Sequence, residues 1–77
     1  MRLLLVEDDE LIAKGASDAL GRAGFVVDHV SDGEEGWQRG GDEDYDAVVL
    51  DLGLPRLDGL SVLRRWRSEG RTFPIII

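Results

Sequence analysis

The residues best placed to do chemistry are carboxylates that close apolar runs. Ala47-Val48-Val49-Leu50 leads directly into Asp51, and Leu3-Leu4-Leu5-Val6 leads into Glu7-Asp8-Asp9-Glu10. An aspartate carboxylate can act as a nucleophile and form an aspartyl phosphate. Phosphoryl transfer of that kind needs positioning and charge neutralisation, and Mg²⁺ supplies both. Carboxylates brought close together disfavour one another's ionisation unless a cation intervenes, and hard oxygen donors suit Mg²⁺ or Ca²⁺. Mg²⁺ takes only one or two carboxylates and fills its octahedron with water. The expected site is Asp51 as phosphoryl acceptor, with Glu7 and Asp8 as cation ligands beside it. Gly53 lets the backbone come close, so its carbonyl can be a further ligand.

Each residue also has a plainer role to be weighed. Glu7 to Glu10 can simply be first-turn helix acids, which the helix dipole favours. Asp51 can be a turn or cap residue, but the next helix starts near Asp58, which is the better N-cap. His29 has no serine or cysteine partner in view and reads as a surface or half-buried structural residue. Trp37 and Trp66 read as core anchors. The arginines between Arg56 and Arg71 read as a solvated helix face. Gly21-Arg22-Ala23-Gly24 ends a helix, so it is no dinucleotide fingerprint.

The elements that must position these acids alternate along the chain. Residues 3–6 and 47–50 are short and wholly apolar, as strands covered on both faces are. A helix starts at Asp9 or Glu10, with Ile12, Ala16, Ala19, Leu20 and Ala23 as its apolar stripe, and Gly24 ends it. Phe25–Val30 reads as an edge strand because of its mixed polarity. Ser31-Asp32-Gly33-Glu34 opens a weak, glycine-rich helix over about 32–39. Residues 41–46 read as a polar loop. Residues 59–69 form a third helix, with Gly59, Val62, Leu63 and Trp66 facing the sheet. Phe73–Ile77 begins a fourth strand. The order β-α-β-α-β-α-β implies a parallel sheet with right-handed crossovers, and acids at the ends of neighbouring strands then meet at a switch point.

Composition narrows the function. Seventy-seven residues allow one small domain. The net charge of −7, from 16 acidic and 9 basic residues, argues against nucleic-acid binding by this segment. The absence of cysteine fits a reducing compartment, and no apolar run approaches the ~20 residues of a membrane span.

With Glu7-Asp8 after the first strand, Asp51 after the third and the run Asp51-Leu-Gly-Leu-Pro-Arg-Leu-Asp58-Gly59, the sequence resembles the receiver domain of two-component response regulators. Met1–Asp9 and Tyr45–Pro55 resemble its transcriptional members with a winged helix. The resemblance implies a flavodoxin-like fold with helices on both faces and strand order 2-1-3-4. It implies Asp51 as phosphoacceptor, Asp8 as a direct Mg²⁺ ligand, Glu7 as a ligand through water, and the Gly53 carbonyl as the remaining protein ligand. Pro55 and Gly59 match the positions that shape the loop. The implied partner is a sensor histidine kinase. DNA is contacted only through an effector domain, there is no membrane association, and the setting is cytoplasmic. The receiver pattern also has a Ser or Thr after strand four and a Lys after strand five. Here the only lysine is Lys14, in the first helix. The resemblance therefore implies that residues 1–77 are the N-terminal portion of a receiver, cut within strand four, without helix four, strand five, helix five or the effector domain. An apolar edge strand and a bare sheet face then predict self-association as a dimer or domain swap. Two rival readings remain: an inert assembly fragment, and a Mg²⁺-dependent phosphatase-like enzyme. The second lacks an acid-base aspartate two residues after Asp51, where Gly53 stands. The expectation is self-phosphorylation without enzymatic turnover.

Overall fold

The computed structural model describes residues 1–77. Its strands are β1 (Arg2–Val6), β2 (Val26–Val30), β3 (Ala47–Leu50) and β4 (Ile75–Ile76). Its helices are α1 (Glu10–Arg22), α2 (Gly33–Asp42) and α3 (Gly59–Ser68). The strands form one parallel sheet in the order β2-β1-β3-β4. The two uninterrupted apolar strands, β1 and β3, are the central pair, with Val6 opposite Leu50. Alternation along β1 explains why all of it is apolar. Leu4 and Val6 join Val48, Leu50, Val62 and Trp66 in the core beneath α2 and α3. Leu3 and Leu5 join Ala13 beneath α1.

All three helix starts are capped by an aspartate, at α2 by Asp32 instead of the Ser31–Glu34 box that the spacing suggests. Asp9 caps α1 by accepting from the Leu11 and Ile12 amides, Asp32 caps α2 through Glu35, and Asp58 caps α3 through Ser61. The two bonds from Ser61, backbone first and hydroxyl second, hold the Asp58 carboxyl below its usual range. Gly24, at φ +99°, and Gly70, at φ +81°, turn the chain after α1 and α3.

Four local expectations are corrected. On α1 the buried residue is Ala13, whereas Ile12 is 58% exposed. α2 continues to Asp42, because its glycines form a contact face: a Cβ on Gly36 would stand 2.9 Å from Val6 Cγ1, and one on Gly40 2.5 Å from Trp66 Cζ2. Packing overrides the low helix propensity of glycine here. Tyr45, inside the expected polar loop, is buried. Its hydroxyl donates to Asp28 Oδ2 at 2.7 Å, and Arg2 bonds both Asp28 and Glu43. The arginines are not simply solvated: Arg65 lies over the Trp37 ring, and Arg67 and Arg71 donate to the carbonyls of Phe73 and Glu43. Both tryptophans do serve the core. Trp66 is fully buried, meets Phe73 edge-on at 5.0 Å and donates to the Trp37 carbonyl.

Candidate functional site

β1 and β3 run side by side and release the chain at the same end of the sheet. The Asp51 amide donates to the Val6 carbonyl at 3.1 Å, extending the ladder by one residue beyond Leu50. Asp51 is thereby fixed beside the residue that precedes Glu7. Candidate ligand oxygens of Glu7, Asp8 and Asp51 all lie within 4.8 Å of one another. Glu7 and Asp51 are half-buried and Asp8 is exposed. Asp9 and Glu10 do not join them; Asp9 is committed to the α1 cap and Glu10 opens the helix.

The loop beyond Asp51 is shaped by short contacts. The Gly53 amide donates to Asp51 Oδ1 at 3.1 Å, so its amide, not its carbonyl, is the contact observed at the acid. Gly59 donates to the Leu52 carbonyl at 3.1 Å, and a Cβ there would overlap the Asp51 carbonyl oxygen. On the far side of the loop a Cβ on Gly33 would collide with the Leu57 carbonyl. The N-terminus of α2 therefore presses directly on the loop. Arg56 takes a left-handed φ of 67° and reaches Asp32 at 3.5 Å. A non-glycine residue in that region is costly and is held by its surroundings.

Across the β1–α1 turn, Glu7 Oε1 accepts from the Asp9 amide at 3.1 Å, and His29 Nε2 lies 2.8 Å from the Glu7 carbonyl. Sequence reasoning gave His29 no link to the acids. No periodicity signals it; the link follows from the β1–β2 register, which sets Leu5 beside His29 and Val6 beside Val30.

The electrostatics suit a hard cation. The chain's ion pairs all lie elsewhere, so no lysine or arginine offsets the three clustered carboxylates. An all-oxygen set with Asp8 exposed suits a hard cation that keeps several waters. Concavities of about 300 and 430 Å³ sit at other places on the surface, share Arg71 and border none of these acids. No helix is long and apolar enough to cross a membrane.

Comparison with known proteins agrees with this geometry. The chain is 51% identical over 77 residues to the transcriptional regulatory protein QseB of Haemophilus influenzae, covering all of this chain and 35% of that protein. It thus spans about a third of the length of that curated relative. Among solved structures it is similar to the receiver domain of the sensor histidine kinase PA1611 from Pseudomonas aeruginosa, which has a magnesium ion coordinated in its active-site cleft. The TM-score is 0.92 and the identity 36%, over 96% of this chain and 62% of that one. It is also similar, with a TM-score of 0.87 and 30% identity over 96% of this chain and 64% of that one, to a chain in the complex of the histidine kinase ThkA with the response regulator TrrA of Thermotoga maritima. The family model for the response regulator receiver domain matches residues 3–77. With the sheet order, the paired acids and this match in agreement, the chain belongs to the receiver-domain family of two-component response regulators.

Proposed function

We propose that the chain accepts a phosphoryl group on Asp51, with Mg²⁺ held by Glu7, Asp8, Asp51 and the Gly53 carbonyl. The observation that carries this reading is the convergence of the three carboxylates at the ends of two adjacent strands, without a protein cation among them. Bound Mg²⁺ supplies charge neutralisation for the transferring group. The chain's own part is positional. The Val6 carbonyl holds the Asp51 backbone, and the Gly53 amide holds Oδ1, leaving Oδ2 free to attack phosphorus. In transfer from a phosphohistidine of a sensor kinase, a P–O bond forms to Asp51 and the P–N bond breaks. The imidazole nitrogen keeps the electron pair. Each chain takes up one phosphoryl group, with no turnover of a further substrate.

In the whole protein, this event is read as control of transcription in the cytoplasm. The added charge biases a two-state element. The net charge of −7 opposes binding to a phosphate backbone, so DNA contact is assigned to a separate effector domain. Self-association belongs to the same reading: Leu11 and Ile12 stand exposed side by side on α1. A dispersed monomer in sedimentation would remove that part.

The test of the site is incubation with Mg²⁺ and a small acyl phosphate, followed by mass spectrometry. One adduct is expected, lost in Asp51→Asn and on chelation of the metal. An unchanged adduct in Asp51→Asn would refute the assignment, and turnover of a phosphate ester would point to a hydrolase instead.

A further inference from the structure

We infer that His29 is a positioning residue for the acidic cluster, acting through the carbonyl of Glu7; the inference rests on the Mg²⁺ reading above. The β1–β2 ladder ends at the Val6–Val30 pair, and the Glu7 amide takes the Val30 carbonyl at 3.1 Å. The next acceptor along this edge is the Glu7 carbonyl. A continuing parallel strand would supply it with a backbone N–H. Here the chain turns away at Ser31 and Asp32 to start α2, and no backbone donor reaches that carbonyl. The His29 ring takes the place of the missing donor, with Nε2 at 2.8 Å. A carbonyl only accepts, so Nε2 carries the proton.

The consequence falls on Asp8. The Glu7 carbonyl and the Asp8 amide share one rigid peptide plane. With the Glu7 amide held by Val30, its carbonyl by His29 and its carboxylate by the Asp9 amide, rotation of that plane is restricted from three sides. The Asp8 Cα, from which the side chain sets out toward Asp51, is held in place as a result. Partners behind metal ligands commonly tune affinity in this way.

The test compares two substitutions of matched length. His29→Gln keeps an N–H at the equivalent atom, and His29→Met has none. His29 is exposed, so neither removes core packing. Mg²⁺ affinity is measured by following backbone amide shifts on the 77-residue chain. Exchange of the Asp8 and Asp9 amides is measured separately in EDTA, without metal. His29→Met is expected to weaken Mg²⁺ binding by about three- to tenfold and to speed that exchange. The phosphorylation rate at saturating Mg²⁺ should change less than about twofold, the mark of a lost positioning bond rather than a lost ligand. His29→Gln should restore both readouts. Wild-type affinity and exchange in His29→Met, or failure of His29→Gln to differ from it, overturns the inference while leaving the acid site standing. If the wild-type chain binds no Mg²⁺ and Asp8→Asn is indistinguishable from it, the site reading itself fails and the inference falls with it.

Discussion

Gly59→Ala tests how tightly the Asp51 loop is held. Gly59 opens α3 directly against the loop, and its amide bonds the Leu52 carbonyl. A Cβ at this position would overlap the Asp51 carbonyl oxygen and stand 2.8 Å from Leu52 Cα. Ordinary contact begins at 3.4 Å, so Leu52 Cα alone must retreat by about 0.6 Å, and the Asp51 carbonyl by more. Both obstacles are backbone, so no side-chain rotation relieves them. Overpacking of this kind costs about 1–3 kcal/mol. The retreat also carries Asp51 away from Glu7 and Asp8, and displacements near 1 Å can cost on the order of a hundredfold in rate. The expected result is a lower urea midpoint, read from the fluorescence of buried Trp66, and a phosphorylation rate reduced by roughly tenfold or more. Gly53→Ala is the control, because a Cβ there meets only Asp51 Oδ1 at 3.9 Å. It should stay within about 0.5 kcal/mol of wild type. Wild-type midpoint and rate in Gly59→Ala would refute the argument that this close approach sets the position of Asp51.

Neighbouring acids should separate by role: Asp9→Ala loses the α1 cap and about 1 kcal/mol of stability, whereas Asp8→Asn loses Mg²⁺ affinity with little change in the thermal midpoint. Gly15→Ala has open space around it inside α1, so it should gain about 0.5–1 kcal/mol in urea unfolding. Tyr45 is the only tyrosine, and burial, then its bond to Asp28, pushes its hydroxyl from 10.0 up to about 12; absorbance near 295 nm should follow that single titration. Because the folded value is the higher one, stability is complete below pH 10 and falls as pH rises toward 12, by about 2–3 kcal/mol. Tyr45→Phe removes the strongest contact holding Asp28 below its usual range. Its stability deficit should be present at neutral pH and shrink only as pH falls below the ordinary carboxylate range, through the lowered value at which folded Asp28 takes up its proton; a deficit unchanged at low pH would contradict this.

The two central strands and the acids that follow them are legible in the sequence for one reason. A strand covered on both faces must be apolar throughout, so the first charged residue marks its end, as Glu7 and Asp51 do. The helix starts are legible because Asp9 and Asp58 act within three residues of themselves; at α2 the same short reach belongs to Asp32, one residue after the expected Ser31. What escapes local reading depends on distant partners. α2 reaches Asp42 only because Val6 and Trp66 occupy the space beside its glycines. Tyr45 is buried in an acidic stretch because Arg2 and Asp28 come to it from β1 and β2. Ala13, not Ile12, lies on the inner face of α1, packed with Leu3 and Leu5. His29 gains a partner 22 residues away through strand register alone.

The sheet order has a consequence for biosynthesis. β1 is made before both of its neighbours, residues 26–30 and 47–50, yet it is a central strand. Leu3 to Val6 therefore leave the ribosome long before both flanking strands exist. At roughly 5–20 residues per second, the interval is several seconds. During that time an apolar strand waits in a chain that cannot yet close around it. Burial of β1 and alignment of Glu7 with Asp51 happen in the same event, when β3 arrives. A nascent chain halted before Leu50 has neither.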